Sequence, residues 1–118
     1  MDKMSLKIYH NPRCSKSRQA LALLTEAGAE FDIVEYLKTG LSVAELEDLV
    51  TKSGGDVRAM MRTGEAVYKE MGLKNENDEA ALIKAIAENP ILLERPLVSD
   101  GKTAIICRPP ELAAQFLA

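Results

Sequence analysis

His10-Asn11-Pro12-Arg13-Cys14-Ser15-Lys16-Ser17-Arg18 lies between a short apolar run, Leu6 to Tyr9, and a helical pattern that opens at Ser15. Asn11-Pro12 interrupts the extended run. From Ser15 to Ala27 the residues Ala20, Leu23, Leu24 and Ala27 recur at helical spacing, and Gly28 suits the C′ position. Cys14 is therefore expected near a helix N-terminus, where unpaired N–H groups and the positive end of the dipole favour an anion such as a thiolate. Arg13, Lys16, Arg18 and a protonated His10 would add positive charge, so the Cys14 pKa is expected to be depressed. Ser17 is expected to point its hydroxyl and its N–H at the sulfur. With serine in the second position of this Cys-x-x-Ser string, the motif cannot close its own disulfide, and any disulfide of Cys14 needs another thiol. The string alone also fits an inert buried cysteine; its place between strand and helix argues for the reactive reading.

Working outward, Phe31 to Tyr36 reads as a second strand, which makes the first third a β-α-β unit with parallel strands and a right-handed crossover. Ser42-Val43-Ala44-Glu45 is a capping-box signature opening a helix with Leu46, Leu49 and Val50 inward, ended by Gly54-Gly55. Asp56 is read as the cap of a short helix, Val57 to Arg62, and Glu65 to Met71 as another that stops at Gly72. Asn77 or Asp78 caps a helix whose face is Ala81, Leu82, Ala85 and Ile86, and Asn89-Pro90 breaks it. No strand is expected in this central block. Arg95-Pro96-Leu97-Val98 then begins a strand, Asp100-Gly101 signals a two-residue hairpin, and Thr103 to Cys107 is the return strand. Pro109-Pro110 restarts the chain as a helix, Glu111 to Leu117, with Leu112 and Phe116 on one face. The order is β-α-β, a helical block, then β-β-α: an α/β chain with a mixed four-stranded sheet, read as one domain over 1–118 with a helical insertion at about 42–90.

Composition bounds the function. The 118 residues are 47% hydrophobic and 28% charged with a net charge of −3, which argues against a nucleic-acid surface or an anionic membrane as partner. No apolar run approaches the roughly 20 residues of a membrane span, and Met1 to Lys7 lacks the apolar core of a signal peptide, so a cytoplasmic location is expected. Two cysteines and one histidine make neither a disulfide framework nor a zinc cluster, so no metal is expected. Cys107, beside Ala104-Ile105-Ile106, is read as a buried core thiol. Tyr9, Tyr36, Tyr68, Met60 and Met61 are read as packing residues, and no bound cofactor is implied.

This order of elements, with Cys-x-x-Ser at the first strand-helix junction and a proline opening the third strand, resembles the thioredoxin/glutaredoxin fold with a helical insertion. The resemblance implies a cis Pro96 facing Cys14. Four stretches sharpen it: His10-Asn11-Pro12-Arg13-Cys14, Val57-Arg58-Ala59-Met60-Met61-Arg62, Glu94-Arg95-Pro96 and Cys107-Arg108-Pro109. Together they resemble the glutaredoxin-coupled arsenate reductase family, in its shorter branch, since Cys-Ser-Lys-Ser and Arg13 depart from the best-known members and the sequence ends at Ala118. The resemblance implies that Cys14 attacks arsenate, that Arg62, Arg95 and Arg108 hold the oxyanion, and that glutathione and glutaredoxin supply the thiols to a monomer. Planar guanidinium forks suit a tetrahedral oxyanion independently of any family, because they offer paired donors and stay protonated. Arg58, one helical turn from Arg62, could share its face. His10 either lowers the thiol pKa when protonated, as the resemblance implies, or is a polar residue at a strand end. Two other readings stay open: a regulator similar to the Spx type, whose redox switch Ser17 would remove, and a glutathione-dependent thiol oxidoreductase acting on another substrate.

Overall fold

In the computed structural model, which describes residues 6–117, β1 (Leu6–Tyr9) pairs in parallel with β2 (Phe31–Val34) and antiparallel with β3 (Leu97–Ser99). β3 pairs antiparallel with β4 (Ala104–Ile106), so the sheet runs β2-β1-β3-β4. This is the mixed four-stranded sheet of the thioredoxin-like fold. Met1–Ser5 and Ala118 lie outside the described residues, and with them most of the segment read for a leader and the end read for the shorter branch. The crossover between the parallel strands is α1 (Ser15–Glu26), which is followed by Ala27 as cap and Gly28 at φ 74°, a left-handed conformation that glycine adopts without Cβ strain. α1 packs against the 3₁₀ turn Pro110–Phe116, and Ile8, Ala20, Leu24, Val98, Cys107 and Ala113 form a core cluster beneath them.

The structure corrects three boundaries of this first unit, which among the described residues comprises 6–39 and 95–117. The second strand stops at Val34 rather than Tyr36, because Lys38 and Thr39 both donate N–H bonds to the Glu35 carbonyl and wind the chain into α2 (Tyr36–Thr39). The hairpin loop is four residues rather than two: Asp100 Oδ1 accepts the N–H groups of Lys102 (2.8 Å) and Thr103 (2.7 Å), so the side chain satisfies the turn that Asp100-Gly101 alone would have made. The last helix is 3₁₀ and not α, which places Pro110, Ala113 and Phe116 in line at a spacing of three, the first two buried and Phe116 packed on the core.

The second unit, 40–94, spans the region read as an insertion at about 42–90. α3 (Val43–Lys52) opens with the full capping box: Glu45 N–H donates to Ser42 Oγ at 3.1 Å, and Ser42 N–H donates to Glu45 Oε1 at 3.2 Å. α4 (Ala66–Glu70) is short, and α5 (Glu79–Glu88), capped by Asp78, packs on α3. The expected helix from Val57 to Arg62 is only a 3₁₀ turn, Arg58–Met60. Met61 leaves it to form an antiparallel bridge with Leu93, flanked by bonds from Arg62 N–H to Leu92 O (2.7 Å) and Glu94 N–H to Met60 O (2.8 Å). The block therefore does carry extended pairing, which draws the apolar Met61 inward and removes the helical register that would have aligned Arg58 with Arg62.

Candidate active site

The turn between β1 and α1 is built from its own polar groups. His10 N–H donates to Val34 O at 2.9 Å, Cys14 N–H to Asn11 O at 3.0 Å, and Arg13 N–H to Asn11 Oδ1 at 3.0 Å. The Arg18 guanidinium donates to Pro12 O at 2.9 Å, tying the first turn of α1 back over the loop. Cys14 is the N-cap of α1, with extended backbone and a half-buried side chain. Nothing in the sequence short of the Asn-Pro turn signal points to Asn11, whose buried side chain shapes this loop.

Burial is the largest single influence on the Cys14 thiol and pushes its pKa up, yet the net shift is downward. The Ser17 N–H, the charge of Arg95, the Lys16 N–H and a hydrogen bond from the Arg95 side chain together outweigh burial. The lowered thiol and the part of the Ser17 N–H in it were expected; the part of Arg95 was not. Arg13 and Lys16 are exposed at the start of the helix and the Arg18 guanidinium is turned to the Pro12 carbonyl; it is the Lys16 backbone, not its ammonium, that reaches the sulfur. The Ser17 hydroxyl is likewise engaged elsewhere: its Oγ lies 2.7 Å from His10 Nδ1 and accepts the Asn11 N–H at 3.1 Å. Burial lowers the His10 pKa, against the pull of Glu35 and aided by Arg18, so His10 is neutral at pH 7 and supplies no positive charge to the thiol. The bond between Ser17 Oγ and His10 Nδ1, together with the bond from the Asn11 N–H, holds in place the serine whose own N–H serves Cys14.

Arg95 and Arg108 each precede a cis proline, at Pro96 and Pro109; the first was expected and the second was not. Arg108 Nη1 donates to the Arg95 carbonyl at 3.2 Å, and Cys107 N–H donates to Pro96 O at 2.8 Å, so the segment entering β3 and the segment leaving β4 are bound together. Cys14, Ser17, His10 and Arg95 thus form one hydrogen-bonded set, to which Arg108 attaches through the Arg95 backbone. Cys107 is fully buried and its thiol is pushed up to about 11 by burial, which makes it a core residue. Arg62 belongs to the second unit, where Glu65 (3.2 Å) and Glu94 (3.8 Å) pair with its guanidinium. Arg58 is spent within that unit: it donates to Tyr68 Oη, Glu76 O and, at 2.9 Å, Leu73 O, clasping the chain between α4 and α5.

Because the field at the sulfur comes from Arg95 and from backbone N–H groups, Arg95→Ala is expected to raise the Cys14 pKa while Lys16→Ala leaves it in place. The ultraviolet absorbance of the thiolate against pH, with Cys14→Ser as blank, reads both. Equal shifts in the two variants would restore the ring of exposed charges as the cause.

A family model described as the ArsC family matches residues 9–116. An arsenate reductase of Neisseria meningitidis serogroup A is 52% identical over 103 residues, 85% of this chain and 88% of that protein. An arsenate reductase of Haemophilus influenzae is 48% identical over 116 residues, 97% of this chain and 100% of that protein. Among solved structures, an arsenate reductase from Vibrio cholerae aligns with a TM-score of 0.92 at 45% identity, over 98% of this chain and 99% of that one.

Proposed function

This chain belongs to the ArsC family, and from that premise we propose that it reduces arsenate to arsenite, with Cys14 as nucleophile and glutathione and glutaredoxin as the thiol donors. The observation that carries the reading is the Cys14–Arg95 pair: a thiol of lowered pKa in hydrogen-bonding reach of a guanidinium. A cation beside a nucleophile does two things for an anionic substrate. It keeps the sulfur ionised, and it gives the incoming oxyanion a partner that offsets repulsion from the thiolate. Arg108, exposed and bound to the Arg95 carbonyl, is the second arm of the clamp. Arg62 is assigned as the third by family resemblance, and binding arsenate would then compete with Glu65 and Glu94 for its guanidinium. Among the described residues no helix is long and apolar enough to cross a membrane, in keeping with a dissolved anion as substrate.

In the proposed reaction the Cys14 thiolate attacks arsenic, a sulfur–arsenic bond forms, and one arsenate oxygen leaves as water after taking up protons. Arsenic is still pentavalent in this adduct. The glutathione thiolate then attacks the Cys14 sulfur; a disulfide forms, and the sulfur–arsenic bond breaks with its electron pair passing to arsenic, which leaves as trivalent arsenite. Cys14 and glutathione have each given one electron. A glutaredoxin thiolate then takes the glutathionyl group and returns Cys14 as a thiol. The external thiol is needed because Ser17 cannot resolve the disulfide and Cys107 is buried.

The test is arsenite formation by the purified protein with glutathione alone, with glutathione and glutaredoxin, and with thioredoxin in their place. Sustained turnover is expected only in the second mixture. No arsenite in any mixture would overturn the activity, and equal turnover with thioredoxin would overturn the choice of reductant.

A further inference from the structure

A cavity of about 290 Å³ opens between the 10–13 loop, which leads into Cys14, and Glu35, Leu37 and Lys38. It lies where the C-terminal ends of the parallel strands β1 and β2 meet, the end of such strand pairs at which ligands gather. The bond from His10 N–H to Val34 O ties the loop to the end of β2, and the chain turns at Glu35 into α2. None of the residues that face it takes part in the proposed oxyanion clamp, and the residue at its rim, Arg13, is the one before Cys14.

We propose that this cavity seats the thiol co-substrate, and that it selects a small peptide thiol carrying two carboxylates and one ammonium, the charge pattern of glutathione. The inference rests on the function proposed above, which requires an external thiol at Cys14. Two cations, Arg13 and Lys38, and one carboxylate, Glu35, line the cavity, and a ligand of two carboxylates and one ammonium is their complement. The resident pair is weak: Lys38 Nζ lies 3.6 Å from Glu35 Oε1, with 76% of the Lys38 side chain exposed, so a ligand can replace it at little cost. Leu37, 40% exposed, offers apolar surface to the carbon chain between the ligand's charges. A volume at the small end of the range for small-molecule clefts, roughly 300–1,000 Å³, suits a peptide of two or three residues. A single tetrahedral oxyanion would leave much of it empty and would face the Glu35 carboxylate. Seated here, the ligand lies against the loop that leads into Cys14, on a lining that leaves Arg95 to the arsenic.

S-methylglutathione, which cannot react, tests the site without arsenate. Titrated into the whole protein, it should shift the amide resonances of residues 10–13 and 35–38, and the Arg13→Ala/Lys38→Ala double variant should weaken its binding at least tenfold. In turnover the same variant should raise the glutathione KM by a similar factor. Glutathione diethyl ester, its carboxylates blocked, should show that loss on the wild type and little more on the double variant. If the double variant fails to fold, as circular dichroism would show, the ester on wild type carries the test alone. Equal KM for acid and ester, or shifts confined to other residues, would overturn the site. Binding at the cavity with no arsenate reduction would instead overturn the proposed function and leave the thiol site standing, whereas reduction without binding there would overturn the thiol site only.

Discussion

Cys14→Ser is expected to abolish arsenite formation, by roughly 10⁴-fold or more, the scale on which losing a nucleophile registers. The loss is compounded because Cys14 has two roles in the proposed reaction. Its thiolate forms the bond to arsenic, and its sulfur gives up one of the two electrons that reduce arsenic. A serine hydroxyl at neutral pH is un-ionised, so it fails at the first; it cannot form a disulfide, so it fails at the second. The fold should gain if anything. Cys14 occupies the N-cap of α1 with only a weakly accepting sulfur toward the Lys16 and Ser17 N–H groups, and serine is among the best N-cap residues, worth about 0.5–2 kcal/mol over alanine. Thermal melting of Cys14→Ser at or above the wild-type midpoint, alongside absent turnover, would separate chemistry from stability. Residual turnover near the wild-type rate would move the nucleophile away from Cys14 altogether, and the buried Cys107 could not take its place.

What the sequence made legible is the part governed by local rules. Ala20 and Leu24 on α1, the glycine after it, the capping box at Ser42 and the aspartate before α5 each act within a few residues and stand where they were read, whereas Ala27, read into the same stripe, is the exposed cap. Cys14 was legible for the same reason, since its value depends on a strand-helix junction that can be read locally. The ends of elements were harder, because they depend on partners distant in sequence. Met61 reads as the continuation of a helix until Leu93 offers it an extended partner. The charges around Cys14 were overread for a geometric reason: residues in the first turn of a helix present backbone N–H groups to the N-cap and turn their side chains outward. Counting Arg13, Lys16 and Arg18 by spacing therefore credited the wrong atoms. Arg95, some 80 positions along the chain, reaches the sulfur only through the sheet order β1-β3, a fact of topology. The role of Ser17 was half legible, its N–H following from helix geometry and its hydroxyl captured by His10 across the loop.

Arg95→Ala is expected to lower arsenate turnover about ten- to a hundredfold, the equivalent of one charge-assisted contact of roughly 1.5–3 kcal/mol. Two separate losses can produce this figure. Without Arg95 the thiol pKa rises, so at neutral pH a smaller fraction of Cys14 is ionised; and the oxyanion loses a donor beside the atom that attacks it. They respond differently to pH. The first shrinks as the pH is raised, because the variant thiol then ionises as fully as the wild type, while the second persists as long as arginine stays protonated, which is at every usable pH. The ratio of wild-type to Arg95→Ala turnover should therefore fall with rising pH and level off well above one. Arg95→Lys should recover most of the first loss and little of the second, since an ammonium keeps the charge without the planar fork that matches a tetrahedral oxyanion. A ratio that falls all the way to one at high pH would confine Arg95 to ionising the thiol and would leave the substrate anion to Arg62 and Arg108.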